Sequence, residues 1–363
     1  MAIDMLKAVL NGLTSAVFIV DKERQVILMN DVARDTFGDG FEEMNFVQIV
    51  RHPDCIKAID KVLRGKKKSS TIITLQNPVR TTYQVKVTGL EDDLDNGEET
   101  EAFAGSSPVP RAVISFDNIS PMREAEQMRS EFVANVSHEL RSPLTVLNGF
   151  IETLKGSAKD DEEARSRFLG IMETEALRMS RLIEDLLSLS KVEVNEHVRP
   201  EGKVDISSII QQIITVLSPQ AKKQHLQIQL NIPEQAIKPV QGDEDQLSQV
   251  FLNLIENAMK YGQPDTEIII TINQIEPVPG VRGDALAIAI KDHGAGIPPE
   301  HIPRLTERFY RIDNSRSREI GGTGLGLAIV KHILARHRGK LSVKSELGKG
   351  SEFTVYLPIS STD

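Results

Sequence analysis

The chain has 363 residues, 40% of them hydrophobic and 26% charged, a globular balance in a length too great for one core, so two or three domains are expected. A net charge of −9, no Trp and only four Tyr argue against direct nucleic-acid binding, which needs positive charge and base-stacking rings. The single cysteine, Cys55, permits no intrachain disulfide, stands near no metal ligands, and reads as a small core residue in a reducing compartment.

Residues 1–118 read as a small α+β domain. The early apolar run from Val9 to Val20 is broken by Asn11, Thr14 and Ser15. It falls short of the roughly 20 apolar residues a membrane helix needs, and it lacks a small-residue cleavage pattern. The chain is therefore expected to be soluble and cytoplasmic, with membrane association only if the native protein is longer. Ala16 to Asp21 and Gln25 to Asn30 are β-type runs joined by Lys22-Glu23-Arg24; Thr71 to Leu75, Thr82 to Val87 and Arg111 to Phe116 are further strands. Glu91 to Pro110 is rich in Asp, Glu, Gly, Ser and Pro, has too little apolar content to pack, and reads as a mobile surface loop.

The pattern changes at Ile119-Ser120-Pro121, where Ser120 suits a helix N-cap and Pro121 the first helical position. Val133, Val136, Leu140, Leu144, Leu147, Ile151 and Leu154 then recur at a mean step close to 3.5 residues, the period of a bundled helix. The polar run Gly156 to Arg165 breaks this register, and a second follows through Met172, Met179, Leu182, Leu186 and Leu189. A hairpin with one apolar stripe per helix cannot enclose a core, whereas two copies can, as a four-helix bundle. Residues 119–196 are thus expected to form a homodimer. Residues 197–363 mix strands (Leu226 to Ile232, Glu267 to Ile275, Ala285 to Lys291, Lys340 to Ser345, Glu352 to Leu357) with helices (Asp205 to Lys222, Asp243 to Tyr261, Thr323 to His337). Strands covered on one face by helices make an α/β sandwich.

Four constellations carry chemistry. In Ser137-His138-Glu139-Leu140-Arg141-Ser142-Pro143, the flanking Val136 and Leu140 mark the buried stripe and leave His138 toward solvent. A neutral imidazole, with a pKa of about 6.5, is a competent nucleophile, and Glu139 can take its other ring proton. Ser142, one turn on, can orient a water; Pro143 frees the Glu139 carbonyl and invites a kink. A lone helical histidine is ordinarily just a polar surface residue, so the combination carries the reading. Asn253 and Asn257 share a helix face, with amide oxygens suited to Mg²⁺, and Lys260 can meet phosphate charge, although a plain amphipathic helix would look the same. Asp292, at a strand end, can accept a proton from an exocyclic amine such as that of adenine, and Gly294 and Gly296 let backbone turn close to a ligand. Gly322, Thr323, Gly324, Leu325 and Gly326 lead into a helix and present backbone N–H groups to phosphate, matching neither the dinucleotide fingerprint nor the P-loop. Gly294 to Gly322 reads as a mobile lid, and Gly348-Lys349-Gly350-Ser351 as a turn.

In this order the segments resemble the signature boxes of bacterial sensor histidine kinases. Ser137 to Arg141 resembles the phosphoacceptor box and Asn253 to Tyr261 the asparagine box. Asp292 to Gly296 resembles the first glycine box, Glu307-Arg308-Phe309-Tyr310-Arg311 the phenylalanine box, and Gly322 to Gly326 the second glycine box. The resemblance implies ATP and Mg²⁺ as nucleotide and metal, His138 as the phosphorylated residue and Glu139 as its base. It implies Asn257 as a Mg²⁺ ligand assisted by Asn253, Lys260 on phosphate, Tyr261 on adenine and Asp292 on its amino group. The implied partner is the receiver domain of a cognate response regulator. Residues 1–118 resemble a PAS sensory domain, and Arg336-His337-Arg338-Gly339 together with the single-PAS layout resembles the phosphate-regulon sensor kinases. Two departures stand out: the N-terminal membrane anchor that family members often carry is not expected within these residues, and Ser142 replaces the commoner Thr or Asn while keeping a hydroxyl, so phosphatase action is expected to persist. Rival readings are an ATPase of the same fold, of the chaperone or topoisomerase type, and a catalytically silent dimeric scaffold.

Overall fold

The computed structural model describes residues 2–76, 79–90, 112–233, 237–275, 278–281, 283–312 and 322–359. The expected loop from Glu91 to Pro110 and part of the expected lid lie outside the described residues. The chain divides into two compact units, Met1–Val133 and Ala134–Asp363.

In the first unit a helix, α1 (Ala2–Asn11), leads into β1 (Ala16–Val20) and β2 (Val26–Met29). β3 (Lys68–Gln76), β4 (Arg80–Gly89) and β5 (Ala112–Asn118) complete an antiparallel sheet of order β2-β1-β5-β4-β3. The last three strands outrun their apolar stretches because the ladder also pairs polar positions, such as Ser70 with Lys86. Three helices left unassigned by apolar periodicity cover one face: α2 (Asp31–Phe37), α3 (Phe46–Ile49) and α4 (Pro53–Leu63). Their starts are set by side-chain caps, in which Asn30, Asn45 and His52 each accept a backbone N–H of the first turn. Phe18, Phe46 and Phe116 meet in the core with Ile59 and Ile114, each buried side chain contributing about 1.5–3 kcal/mol. Asn30 is fully buried and uses its whole amide. It accepts from the N–H groups of Val17 and Ala33 and donates to the carbonyls of Leu10 and Ser15, tying α1 to the sheet. Cys55 is likewise buried, and burial pushes its thiol up to about 12, so it stays protonated and inert near neutral pH.

Helix α5 (Ser120–Lys155) begins here. Ser120 does not cap it as expected. Its hydroxyl accepts the N–H of Thr82 in the neighbouring strand, while the Asn118 side chain accepts the Ser120 N–H. A sheet amide has captured the oxygen that the helix was expected to use.

In the second unit α5 runs unbroken through a buried Pro143. After a turn, Asp161 caps α6 (Glu162–Val194), so the end of the expected polar break is already helical. Leu182, Leu189 and Val192 of α6 are buried, whereas Leu144, Ile151, Leu177 and Leu187 stay 38–58% exposed in the single chain. The rest is a two-layer sandwich. Its sheet has the order β11-β12-β10-β9-β7. The strands are β7 (Gln227–Asn231), β9 (Glu267–Ile275), β10 (Ala285–Lys291), β11 (Lys340–Glu346) and β12 (Gly350–Pro358), with β7 parallel to β9 and the other pairs antiparallel. A short pair, β6 (Lys203–Val204) with β8 (Val240–Gln241), stands apart. Helices α7 (Ile206–Lys223), α8 (Glu244–Tyr261) and α9 (Gly326–Arg336) cover one sheet face. Their apolar residues, among them Phe251, Leu254, Ile329 and Ile333, meet Ile288, Ile290 and Val355 in the core. The fully buried His337 ties α9 to α8: its Nε2 accepts the Asp243 N–H at 3.0 Å and its Nδ1 donates to the Ile333 carbonyl at 2.7 Å.

Candidate functional site

Asp292 follows β10 at the edge of the sandwich and is 4% exposed. One carboxylate oxygen accepts the N–H groups of Gly294, at 2.8 Å, and Ser351, at 3.2 Å. Burial pushes its pKa above the usual carboxylate value, and the two backbone donors oppose that rise. These bonds aim the group into a cavity of about 630 Å³, inside the size range of small-molecule sites. α8 contributes Asn253, Glu256, Asn257, Lys260 and Tyr261 to its wall, the loop before α9 contributes Gly322, Thr323 and Gly324, and α9 contributes its first residue, Gly326. Gly296 lines it as well, with φ +74° and the Glu346 carbonyl where a Cβ would lie.

Two residues named from the sequence also meet packing needs of the fold. Gly294 does not line the cavity; a Cβ there would strike the Tyr261 carbonyl, so its bareness seats the loop on the end of α8. Leu325 is fully buried and serves the core. Gly324 adopts φ +75°, and its carbonyl accepts the Phe309 N–H at 2.8 Å, joining the phenylalanine and second glycine segments. At Gly326 a Cβ would lie 2.9 Å from Asn253 Oδ1, so the glycine keeps that oxygen clear.

His138 and Ser142 are exposed on α5, and His138 is not among the residues lining the cavity. Glu139 is 24% exposed, and its Oε2 accepts from Arg178 of α6 at 3.3 Å and from Arg311 at 3.2 Å. Arg311 itself lines the cavity, so a guanidinium links the cavity wall to the neighbour of His138.

Comparison with known proteins matches this division. Residues 128–195 match the His Kinase A (phospho-acceptor) domain, and residues 242–361 match the Histidine kinase-, DNA gyrase B-, and HSP90-like ATPase family. The chain belongs to the sensor histidine kinases. It is 40% identical over 239 residues to the phosphate regulon sensor protein PhoR of Pseudomonas aeruginosa, covering 66% of this chain and 52% of that protein. It is 32% identical over 356 residues to the sensor protein kinase WalK of Staphylococcus aureus, covering 97% of this chain and 55% of that protein. The chain thus spans about half the length of the curated relatives it matches. Among solved structures, the histidine kinase ThkA in complex with response regulator protein TrrA has the same fold over 96% of each chain, with 18% identity and a TM-score of 0.51.

In this chain α6 supplies cavity residues that no sequence signal announced. Arg181, Glu184 and Asp185 line the cavity, and the Thr323 hydroxyl donates to Asp185. Arg311 was visible only as part of a box, and Ser351 only as part of a turn. No helix of the described residues is long and apolar enough to cross a membrane.

Proposed function

We propose that the chain is a homodimeric, cytoplasmic protein-histidine kinase that transfers the γ-phosphoryl group of ATP to His138, and from there to an aspartate of a response-regulator receiver domain. The observation that carries this reading is the conjunction of an exposed His138, an arginine-held Glu139 and a cavity lined by both a buried carboxylate and a glycine-rich loop. Residues 1–118 act as a PAS-type sensory domain, 119–196 as the dimerisation and phosphotransfer hairpin, and 197–363 as the ATP-binding domain. The strand order of the first sheet supports the PAS reading, and the exposed leucines of the hairpin support the dimer. The 40% identity to a phosphate regulon sensor supports phosphate limitation as the signal.

Asp292 accepts from the adenine amino group, Tyr261 lies along the base, and Lys260 with the N–H groups of Gly322 to Gly326 receives the phosphates. An imidazole nitrogen of His138 attacks the γ-phosphorus. The bond to the bridging oxygen breaks, ADP leaves, and Glu139 takes the remaining ring proton. The receiver carboxylate then attacks phosphorus, the P–N bond breaks, and the imidazole regains a proton. Ser142 positions water for dephosphorylation of the regulator.

The donor set fits Mg²⁺. Among the described residues no cluster of three or more His, Cys, Asp or Glu could hold a metal, but the side-chain oxygens of Asn253, Glu256 and Asn257 share one wall. Asn257, with Asn253, would supply part of a coordination sphere that phosphate and water complete, and the ion would neutralise phosphate charge.

The test is incorporation of label from γ-labelled ATP. The full chain should acquire acid-labile, base-stable label and His138→Ala none. Label persisting in His138→Ala, or ATP hydrolysis with no labelled protein as in a chaperone-type ATPase, would refute the proposal.

A further inference from the structure

The Thr323 hydroxyl donates to Asp185 Oδ2 at 2.7 Å. Thr323 sits in the loop that the proposed function gives to the nucleotide phosphates, whereas Asp185 belongs to α6, which also lines the cavity. The contact is one of a seam. Ser188 donates to Gln249 at 2.8 Å, Arg308 pairs with Glu193, His332 meets Glu196 at 3.0 Å, and Arg336 donates to the Val198 carbonyl at 2.9 Å. The sandwich is therefore seated along the second hairpin helix, with Asp185 at the end of the seam that enters the cavity. Burial pushes the Asp185 pKa upward, while the Thr323 hydroxyl and the charge of Lys260 oppose the rise. A carboxylate thus holds the hydroxyl, and sits in the field of the ammonium, that a phosphate in this cavity would use.

We propose that Asp185 is a specificity-determining residue of the nucleotide site: in the seated arrangement its carboxylate competes with the terminal phosphate of ATP for Thr323 and Lys260, so the seated state accepts the nucleoside but disfavours the triphosphate, and ATP must unseat the sandwich from α6 to bind fully. This rests on the nucleotide reading of the cavity. Like charges brought within a few ångströms in a partly desolvated space repel strongly, and the repulsion grows with the charge of the ligand. Adenosine carries none of that charge and leaves the Asp185 contact undisturbed. A ligand shifts a conformational equilibrium only by its differential affinity for the two states. ATP has such a differential here, so loading the nucleotide and releasing the domain to travel toward His138 become one equilibrium.

The test is calorimetric titration of the full chain and of Asp185→Asn with adenosine, ADP and a β,γ-imido analogue of ATP, with Mg²⁺. The substitution keeps the shape and an oxygen for the Thr323 hydroxyl while removing the charge. The analogue should bind the variant about tenfold more tightly or better, ADP should gain less, and adenosine should stay within twofold. Equal shifts for all three ligands, or no shift, would overturn the proposal and leave the nucleotide reading intact; absence of all binding to both proteins would overturn both. A second measurement does not depend on that variant. A disulfide between Ser188→Cys and Gln249→Cys reports the seam, since Cys55 is buried. Its yield should fall at least threefold with the ATP analogue and not with adenosine, and a yield indifferent to the analogue would also overturn the proposal.

Discussion

Replacing Asp292 by Asn separates recognition from stability. In the protein one carboxylate oxygen is committed to the N–H groups of Gly294 and Ser351, which leaves the other for the cavity. An asparagine keeps the same two bonds with its oxygen and so must turn its NH₂ inward. A donor then faces the donor amine of adenine. The loss is a hydrogen bond to a charged group plus an unmatched polar pair, about 2–3 kcal/mol, or roughly 30- to 150-fold in ATP affinity. Inosine triphosphate presents a carbonyl where adenine has its amine, so the variant should prefer it and the wild type should not. Stability should move the other way. Burial raises the Asp292 pKa above the ordinary 3.8. The contribution of this group is therefore fully present only below 3.8 and is lost as pH rises through the raised folded value. At pH 7 the buried charge costs stability, and Asp292→Asn should melt at or above the wild-type temperature. Calorimetric titration with the two nucleotides and a thermal melt check both halves. ATP binding within threefold of wild type, or an unchanged preference between the nucleotides, refutes the assignment of Asp292 to the base.

Two further expectations concern the scaffold. Burial holds the His337 pKa below its ordinary 6.5, so its contribution is present above 6.5 and is lost as pH falls toward the lower folded value. Urea-unfolding stability should drop between pH 7.5 and 5.5 by up to about 1.4 kcal/mol per unit, and His337→Gln should be less stable at pH 7.5 yet show a shallower slope. Gly350 adopts φ +103°, with the Asp292 carbonyl where a Cβ would stand and His293 Cα at 2.9 Å from it. Gly350→Ala should cost about 2–5 kcal/mol from backbone strain and overlap and weaken nucleotide binding, whereas Gly348→Ala, at φ +79° in open space, should cost only about 1–2 kcal/mol in the same urea titration.

What was legible in the sequence is what local physics decides. β9 and β10 fall where alternating and continuous apolar runs put them, and α8 starts beside Asp243 because that side chain caps it. Legibility ends where a distant partner chooses. Ser120 looked like a cap, but Thr82, 38 residues earlier, claims its hydroxyl. Gly294 and Leu325 carry packing roles that a glycine-rich run does not announce. Gly294 solves a packing problem at the end of α8, and Leu325 anchors the start of α9 in the core. Asp185 reads as an ordinary polar position on a bundle helix. Only the fold brings it to Thr323, 138 residues on.

The same long-range pairings bear on how tightly such a cavity can hold a polyanion. Two of its cations are engaged: Lys260 lies 3.7 Å from Glu256 and Arg311 bonds Glu139, while Arg308 just beyond pairs with Glu193. A triphosphate entering here exchanges ion-pair partners, so its net affinity is the difference between phosphate and carboxylate as partners, far less than the full attraction of either. That difference suits a phosphoryl donor. Tight uniform binding of ATP would lower KM without speeding the transfer, whereas interactions completed only on the proposed release from α6 would act on the proposed transition state at His138. Under the proposed function, the carboxylates along α6 and at Glu139 would therefore enter the energetics of phosphotransfer even where they do not touch the nucleotide.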